Sequence, residues 1–527
     1  MVFSGETAEL IVGLDGFTGT RNQAIVTPQQ LLVAENITYE NGTLQKEGGS
    51  SKYSSELSGT PTIQGGWDWH PTDGTQRGII LTSAGALLKD TGDGAYSVSL
   101  KTGLTVSDVV GVFVEGGKEA AANDRKLFCI TGKNVVQVLA ADGATTSNIT
   151  SPPSDWSGTN QPTTGAIHEN RFCAAGNAND PHRVYMSLAT DHEDFTTTAL
   201  SFAVFPGEGK KIVQIISFKG LLVVFKYPRG IYLIDTTDSD NTKWKIQKHS
   251  TNIGGASPLG AVQIDDDILF IDHTGSFHLI SAIEQFGNIG SRNLSDIAQF
   301  DVFIRDDCNL AELPRTQAIY YTAKRQAWFG ASSSGTAYDR KYVVDFNRID
   351  LPRFAVSTKD TNRSLWLKED SSGIQRPASG DDAGFVWDLD QENRSKDGSG
   401  YNGKFQSPQL DLSHLDPALG VREKNGKFLE LVVEPAGNWD LSVDILWDDS
   451  ISETVTFNMG TSGSTLGSFV LDTDKLAGAN LINKRRRIHG AGRRLSIVGR
   501  NSGDGQDFSI AKFYMLFTRG SDFAGPR

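Results

Sequence analysis

The sequence predicts an all-β protein: a β-propeller of six to eight blades followed by a C-terminal β-sandwich. Three observations predict it. A strand–turn–strand pattern recurs through the middle of the 527-residue chain at near-constant spacing. Glycine is abundant, at 56 residues, and supplies the positive-φ positions that tight hairpin turns need. After about residue 400 the texture changes to segments that alternate apolar with polar, the pattern of half-buried antiparallel strands.

The repeat opens with Gly78-Ile-Ile-Leu-Thr followed by Ala86-Leu-Leu-Lys. It returns at Leu127 with Val135, at Arg171 with Arg183, at Leu221 with Gly230 and at Ile268 with Phe277. Two less regular copies follow, Ala327 with Lys341 and Leu365 with Gly384. Taken from Ile79, Leu127, Phe172, Leu221, Ile268, Ala327 and Leu365, the steps are 48, 45, 49, 47, 59 and 38. Four-stranded blades repeat at roughly 40–50 residues. The last two steps together span about two blades, as if one loop had grown and the frame had slipped. No repeat signature labels the blades: the Trp-Asp pairs at Trp67, Trp387, Trp439 and Trp447 lack blade spacing.

Seven alternating segments follow, starting near Lys404, Phe428, Leu441, Thr454, Ser468, Arg494 and Phe508, and these form the expected sandwich. The expected organisation is therefore an extended N-terminal segment over residues 1–59, a propeller over 60–400 and a sandwich over 401–527. Ser395–Tyr401, rich in Gly, Ser and charge, reads as the linker. Helix is sparse. Thr27 before Pro28 is an N-cap signal for a short helix through Leu32, and Leu294–Phe300 suggests another turn.

Composition narrows the function classes. The hydrophobic fraction of 38% and charged fraction of 21% are those of a water-soluble globular protein. No apolar run approaches the roughly 20 residues of a membrane span, and the N-terminus lacks a basic region and apolar stretch of signal type. Synthesis in a cytoplasm without a cleaved signal is expected. Cys129, Cys173 and Cys308 are odd in number, far apart and set in apolar strands, so buried free thiols are expected. A net charge of −13 argues against general nucleic-acid binding but suits a surface along which DNA slides.

The search for chemistry finds no enzyme. Thr131-Gly132-Lys133-Asn134 lacks the first glycine and the hydroxyl of a phosphate loop, and no Gly-x-Ser-x-Gly or His-Glu-x-x-His occurs. The nine histidines never reach ligand spacing. Asp388, Asp390 and Glu392 have the opening spacing of a calcium loop without its glycine or final glutamate, and read as an acidic turn. Asp265-Asp266-Asp267 reads as a hairpin turn. No cofactor, metal or catalytic residue is assigned. Trp67, Trp69 and Trp366 are the stacking platforms that a glycan-binding or glycan-cleaving propeller would use, with core packing the expected fate of each.

The strongest charge feature is basic: Lys484, Arg485, Arg486 and Arg487, then His489, Arg493, Arg494 and Arg500. Gly490 and Gly492 break it like a loop. Such a patch in an acidic protein serves as a contact with a neighbouring subunit, as a contact with DNA phosphates, or is a solvated loop between two sandwich strands.

The two ends carry a resemblance. Leu14-Asp-Gly-Phe-Thr-Gly-Thr-Arg21-Asn22 leads into Pro28-Gln-Gln-Leu31-Leu-Val-Ala34-Glu-Asn36, then Gly42-Thr-Leu44-Gln-Lys46-Glu-Gly48. This opening resembles that of tail nozzle, or tail tubular protein B-like, proteins of tailed bacteriophages and the related packaged-DNA stabilisation proteins. The run Arg486 to Ile497 resembles their closing part. The resemblance implies a structural virion protein: a hexameric ring beneath the portal and adaptor, through which genomic DNA exits without sequence-specific binding. The alternatives are a hub or baseplate protein of a longer tail, or a propeller lectin or glycan hydrolase acting on the host surface.

Overall fold

The computed structural model describes residues 6–10, 15–20, 26–40, 42–71, 74–90, 92–106, 109–117, 125–196, 200–238, 241–280, 294, 298–348, 351–370, 372–460 and 481–520. Antiparallel meanders succeed one another through the middle of the chain and close into a propeller ring. The first blade uses Ile63–Trp69, Arg77–Thr82, Leu87–Asp90 and Val98–Lys101 in sequential order. Four-stranded blades follow over 112–148, 164–203 and 211–250, then a three-stranded one over 261–279. Residues 318–357 form a further meander, which is also the start of a nine-stranded sheet. The last blade holds Ser364–Glu369, Gln375–Gly380 and Val386–Gln391. Six sheets thus stand alone as blades, and the seventh place in the ring is taken by strands of the larger sheet.

First strands of successive blades lie side by side. The Gly111 amide donates to Gln64 O (3.2 Å), and Val112–Gly117 packs on Thr164–His168. The Ile215 amide donates to Thr164 Oγ1, and the Gln214 side chain brackets both backbone groups of Ala261 at 2.8 Å. The Ala318 amide reaches Leu259 O, and Ser364 Oγ donates to Ile63 O, which completes the circle. Each blade therefore buries both faces. This explains why its middle strands are unbroken apolar runs: in Arg125–Ile130 the last four residues, Leu127 to Ile130, are all buried.

The closing strand comes from the N-terminal segment. Gly49–Lys52 pairs antiparallel with Val386–Gln391 and supplies the last blade's outer strand. Upstream, Glu6–Leu10 pairs with Ser509–Arg519, and the hairpin Ile37–Glu40 with Thr43–Lys46 joins the same strand. Val33–Glu35 lies between Arg353–Ser357 and Gly403–Gln406. The described residues between 6 and 52 are thus distributed among these three large sheets and one two-stranded sheet of their own, Gly16–Phe17 with Gln30–Leu31. The C-terminal strands divide between two sheets, Lys424–Val433 with Ser509–Arg519 in one and Asp440–Trp447 with Leu495–Asn501 in the other. Their inward side chains, among them Leu429, Leu431, Val443, Ile445 and Phe513, meet in one apolar cluster.

Several local expectations are corrected. In the first five repeats, and the sixth, the matched strands are the second and third of a blade. In the last copy Leu365 lies in the first strand, and the true second strand, Gln375–Gly380, contains Pro377 and no apolar run. With that strand the final step is 49, and the long step of 59 is the insertion that carries a helix, α1 (Phe300–Asp307). The helical turn expected over Leu294–Phe300 is present at Leu294 and Ala298, residues 295–297 lying outside the described residues, and α1 follows it. Helix α1 is held by Phe300 and Ile304 against the core. Thr27–Leu32 is a turn followed by a strand, Gln30–Leu31, paired with Gly16–Phe17; a single turn of helix has too few internal hydrogen bonds to compete with burying Leu31. Ser395–Tyr401 is anchored, not a free linker: Ser50 N donates to Ser395 O, and Tyr401 is buried against Glu47. The expected strand at Ser468 lies outside the described residues.

Candidate functional site

Two places bring functional chemistry together: the propeller axis and the basic strand near the C-terminus. At the axis, the Gln317 side chain ties the first strands of three blades, accepting from the Leu365 amide (2.9 Å) and donating to Gln64 O (3.5 Å). Glycine at 66 permits close approach there, since a Cβ would lie 2.5 Å from the Trp366 indole. One cavity, of about 440 Å³, opens where the first strands begin and is lined by Lys133, Lys211, Arg315, Thr163 and Tyr227. A second, of about 410 Å³, runs along the strands and is lined by Trp67, Asp68, His70, Phe113, Tyr320 and Trp366 among others.

The second cavity is acidic and aromatic. Asp68 is held by hydrogen bonds to its Oδ2 from the Glu369 amide and Gln76 Nε2, each at 2.7 Å. His70 Nε2 lies 3.4 Å from Glu369 and 3.7 Å from Asp68. The Asp68 side chain is only 8% exposed, and its Oδ1 has no hydrogen-bond partner. Burial raises its pKa above the ordinary carboxylate value, against the hydrogen bonds that lower it. Glu115, on the neighbouring first strand, is likewise raised by burial despite the Arg125 guanidinium. Of the three tryptophans singled out from the sequence, Trp69 is fully buried in an apolar cluster and offers no stacking face. Trp366 is nearly buried, and Trp67 is half-buried; both line the cavity. Asp68, His70 and Glu115 were not singled out. The only signal was that Asp68 and Glu115 sit next to large apolar residues on their strands, Trp67, Trp69 and Val114, which many residues share.

The basic run lies on a strand, Ile482–Arg487, and not in a loop. It pairs with Lys424–Val433 and, among the described residues, with no strand on its other side. Strand alternation splits the charges between two faces. Lys484 Nζ donates to Gly460 O (2.5 Å) and Arg486 Nε to Thr456 O (2.9 Å), towards the neighbouring sheet. Burial and the nearby Arg486 lower the Lys484 pKa from its ordinary value. Arg485 lies on the opposite face, its guanidinium over the Phe428 ring and 4.0 Å from Glu430. Arg487 shares that face by alternation. Arg493 and Arg494 are held through their amides by the Asp448 carboxylate, and the Arg494 side chain reaches Gln409. The run therefore presents an edge strand studded with cations rather than one concentrated patch.

The other acidic features have structural partners. Asp265 and Asp266 form the two-residue turn between Ala261–Ile264 and Asp267–Ile271, where Asp265 accepts from Arg325 and Tyr320 of the adjacent meander. Asp390 binds Lys324. Cys129, Cys173 and Cys308 are buried free thiols; burial pushes Cys129 up to about 12 and Cys308 to about 11.

No family model matches the chain, and no curated protein does. Solved structures with a similar arrangement include a computationally designed protein, Ika8, at 9% identity and a TM-score of 0.36, covering 64% of this chain and 99% of that one. Another is PorZ, a surface component of the type-IX secretion system of Porphyromonas gingivalis, at 11% identity and a TM-score of 0.38, covering 68% of this chain and 43% of that one.

Proposed function

We propose that the chain is a structural subunit of a bacteriophage tail nozzle, assembled in the host cytoplasm as a hexameric ring that retains packaged DNA and through which that DNA leaves. The observation that carries this reading is spatial. The two stretches that resemble nozzle proteins lie at opposite ends of the sequence, yet they form one body. The segment that follows the C-terminal stretch also meets the N-terminal one: Thr43–Lys46 pairs with Ser509–Arg519, and Lys46 Nζ bonds Asn501 Oδ1 (3.2 Å) and Gly503 O (3.0 Å). Val33–Glu35 is separated from Leu495–Asn501 only by Gly403–Gln406.

The axial cavities, at about 410 and 440 Å³, are the size of small-molecule sites and are crossed by Gln317, so the DNA path of such a ring runs between subunits. The net charge of −13 keeps that path from gripping phosphates. Light scattering coupled to size exclusion, with the chain alone and with a portal–adaptor complex, tests the reading. A ring in either sample supports it; a monomer in both overturns it. The variant Arg485→Ala with Arg487→Ala removes the two outward cations, whose loss is expected to weaken assembly. Unchanged assembly assigns the basic strand another role.

A further inference from the structure

The acidic axial cavity is not used by the nozzle reading, and its chemistry points to a ligand of its own. Its walls carry four aromatic side chains, Trp67, Phe113, Tyr320 and Trp366, from the first strands of four blades or their flanks, alongside polar groups such as Gln263 and Gln317. A carboxylate sits among them with one oxygen satisfied twice and the other not at all. Asp68 is more than nine-tenths buried, so water does not freely solvate the unpartnered Oδ1. Glu369 and Glu115 add negative charge nearby; the cationic groups are Arg125, which faces Glu115, His70, between Asp68 and Glu369, and Lys368, which also interacts with Asp68. A buried carboxylate with one unpartnered oxygen in a cavity lined by aromatic rings is an arrangement that recognises a positively charged organic group, through one charge-assisted hydrogen bond and attraction to the ring quadrupoles.

We propose that this cavity binds an ammonium or guanidinium group carried on an apolar stem, with Asp68 Oδ1 as the acceptor and Trp67 and Trp366 as the flanking walls. A metal ion suits the site less well: among the described residues no cluster of three or more acidic, His or Cys side chains could hold one. The group is either a small free cation or the Lys or Arg side chain of a partner protein; both present the same chemistry. The volume of about 410 Å³ accommodates one such side chain with its stem. The opposite cavity, lined by Lys133, Lys211 and Arg315, has the reverse charge, so a cation is directed to one end of the axis only.

Isothermal titration of the full chain with N-acetyl-arginine amide tests the proposal, with N-acetyl-citrulline amide as the neutral isostere. The expected result is saturable binding of the arginine probe and at least about tenfold weaker binding of the citrulline probe, the order expected for loss of a hydrogen bond to a charged group. Asp68→Asn keeps an acceptor for Gln76 and the Glu369 amide and should remove this preference. Trp67→Leu, at a half-buried position, should weaken arginine binding while Asp68 is retained. A thermal unfolding profile matching the parent shows that each variant is folded. No heat from the arginine probe, equal binding of both probes, or full retention of selectivity in folded Asp68→Asn overturns the assignment. None of these results depends on whether the chain forms a ring.

Discussion

Lys359 has no exposed surface, yet it carries a charge through a buried ionic cluster: it pairs with Asp360 and lies 3.9 Å from Glu47, which also pairs with Lys341 at 2.7 Å. Burial alone would lower the Lys359 pKa, but the Asp360 and Glu47 carboxylates outweigh it and hold it above the ordinary value. Asp360 is held below the ordinary carboxylate value, because Lys359 and Lys341 and the Ser50 hydroxyl overcome the effect of burial. Removing one member leaves its partners charged and dry, so Lys359→Met is expected to cost about 3–5 kcal/mol in urea unfolding. The Asp360 contribution is complete above its unfolded pKa, near 4, and is lost as pH falls through the lower folded value. Acid unfolding curves of the parent and Asp360→Asn should therefore converge below about pH 4. Lys226 runs the other way. Its Nζ donates to the carbonyls of Val204, Phe205 and Glu208, and burial pushes its pKa down to about 8. Between that value and the unfolded one the unfolded chain binds more protons, so stability from Lys226 rises with pH. The stability difference between the parent and Lys226→Met should widen from pH 8 upwards, and a difference that shrinks would contradict the assignment.

At the scale of elements, the closing strand decides whether the ring holds. Gly49–Lys52 is short, but it pairs with Val386–Gln391 and sits where larger residues cannot: a Cβ on Gly49 would lie 2.3 Å from Ser395 O. Gly49→Val should displace the strand and lower the melting temperature, whereas Gly42→Ala, with open space around it, should perturb packing far less despite its positive φ. The edge strand Ile482–Arg487 makes a second argument. Exposed edges invite pairing with other chains, and cations along them prevent it. Replacing Arg485 and Arg487 by Thr, a strand former without charge, should give heterogeneous aggregates on concentration, distinct from a ring of defined mass, even where the fold is intact. Both elements were only partly legible beforehand. The basic run stands out as composition, but its strand identity depends on pairing with Lys424–Val433, and no periodicity exists in four consecutive cations. The closing strand, Gly-Ser-Ser-Lys, has no apolar signal at all.

The whole molecule is one interleaved object. Residues 6–52 contribute to the last blade, to the nine-stranded sheet and to the seven-stranded sheet. Expression of residues 60–400 alone is therefore expected to give an unfolded or aggregating product, lacking the closing strand and the Glu47 end of the buried ionic cluster. A cooperatively unfolding fragment with the parent's near-ultraviolet spectrum would refute this. Co-expression of residues 1–59 as a separate chain should restore part of the folded signal, since strand pairing does not need the covalent connection.

The repeat, the all-β class and the two-residue turn at Asp265 were determined by sequence alone, because each rests on local chemistry: short apolar runs punctuated by turn residues, recurring at blade length. The seven repeat copies match seven successive blade positions, and even the faulty frame at Leu365 marked a real insertion, the one that carries α1. Tertiary structure decided what closes the ring, which tryptophan is core and which lines a cavity, and where the charged residues meet. Those outcomes depend on contacts between residues such as Ser50 and Asp360, or Lys46 and Asn501, hundreds of positions apart. Asp68 is the clearest case. In the sequence it is one acid among 63; only the convergence of several blades buries it and leaves one oxygen without a partner.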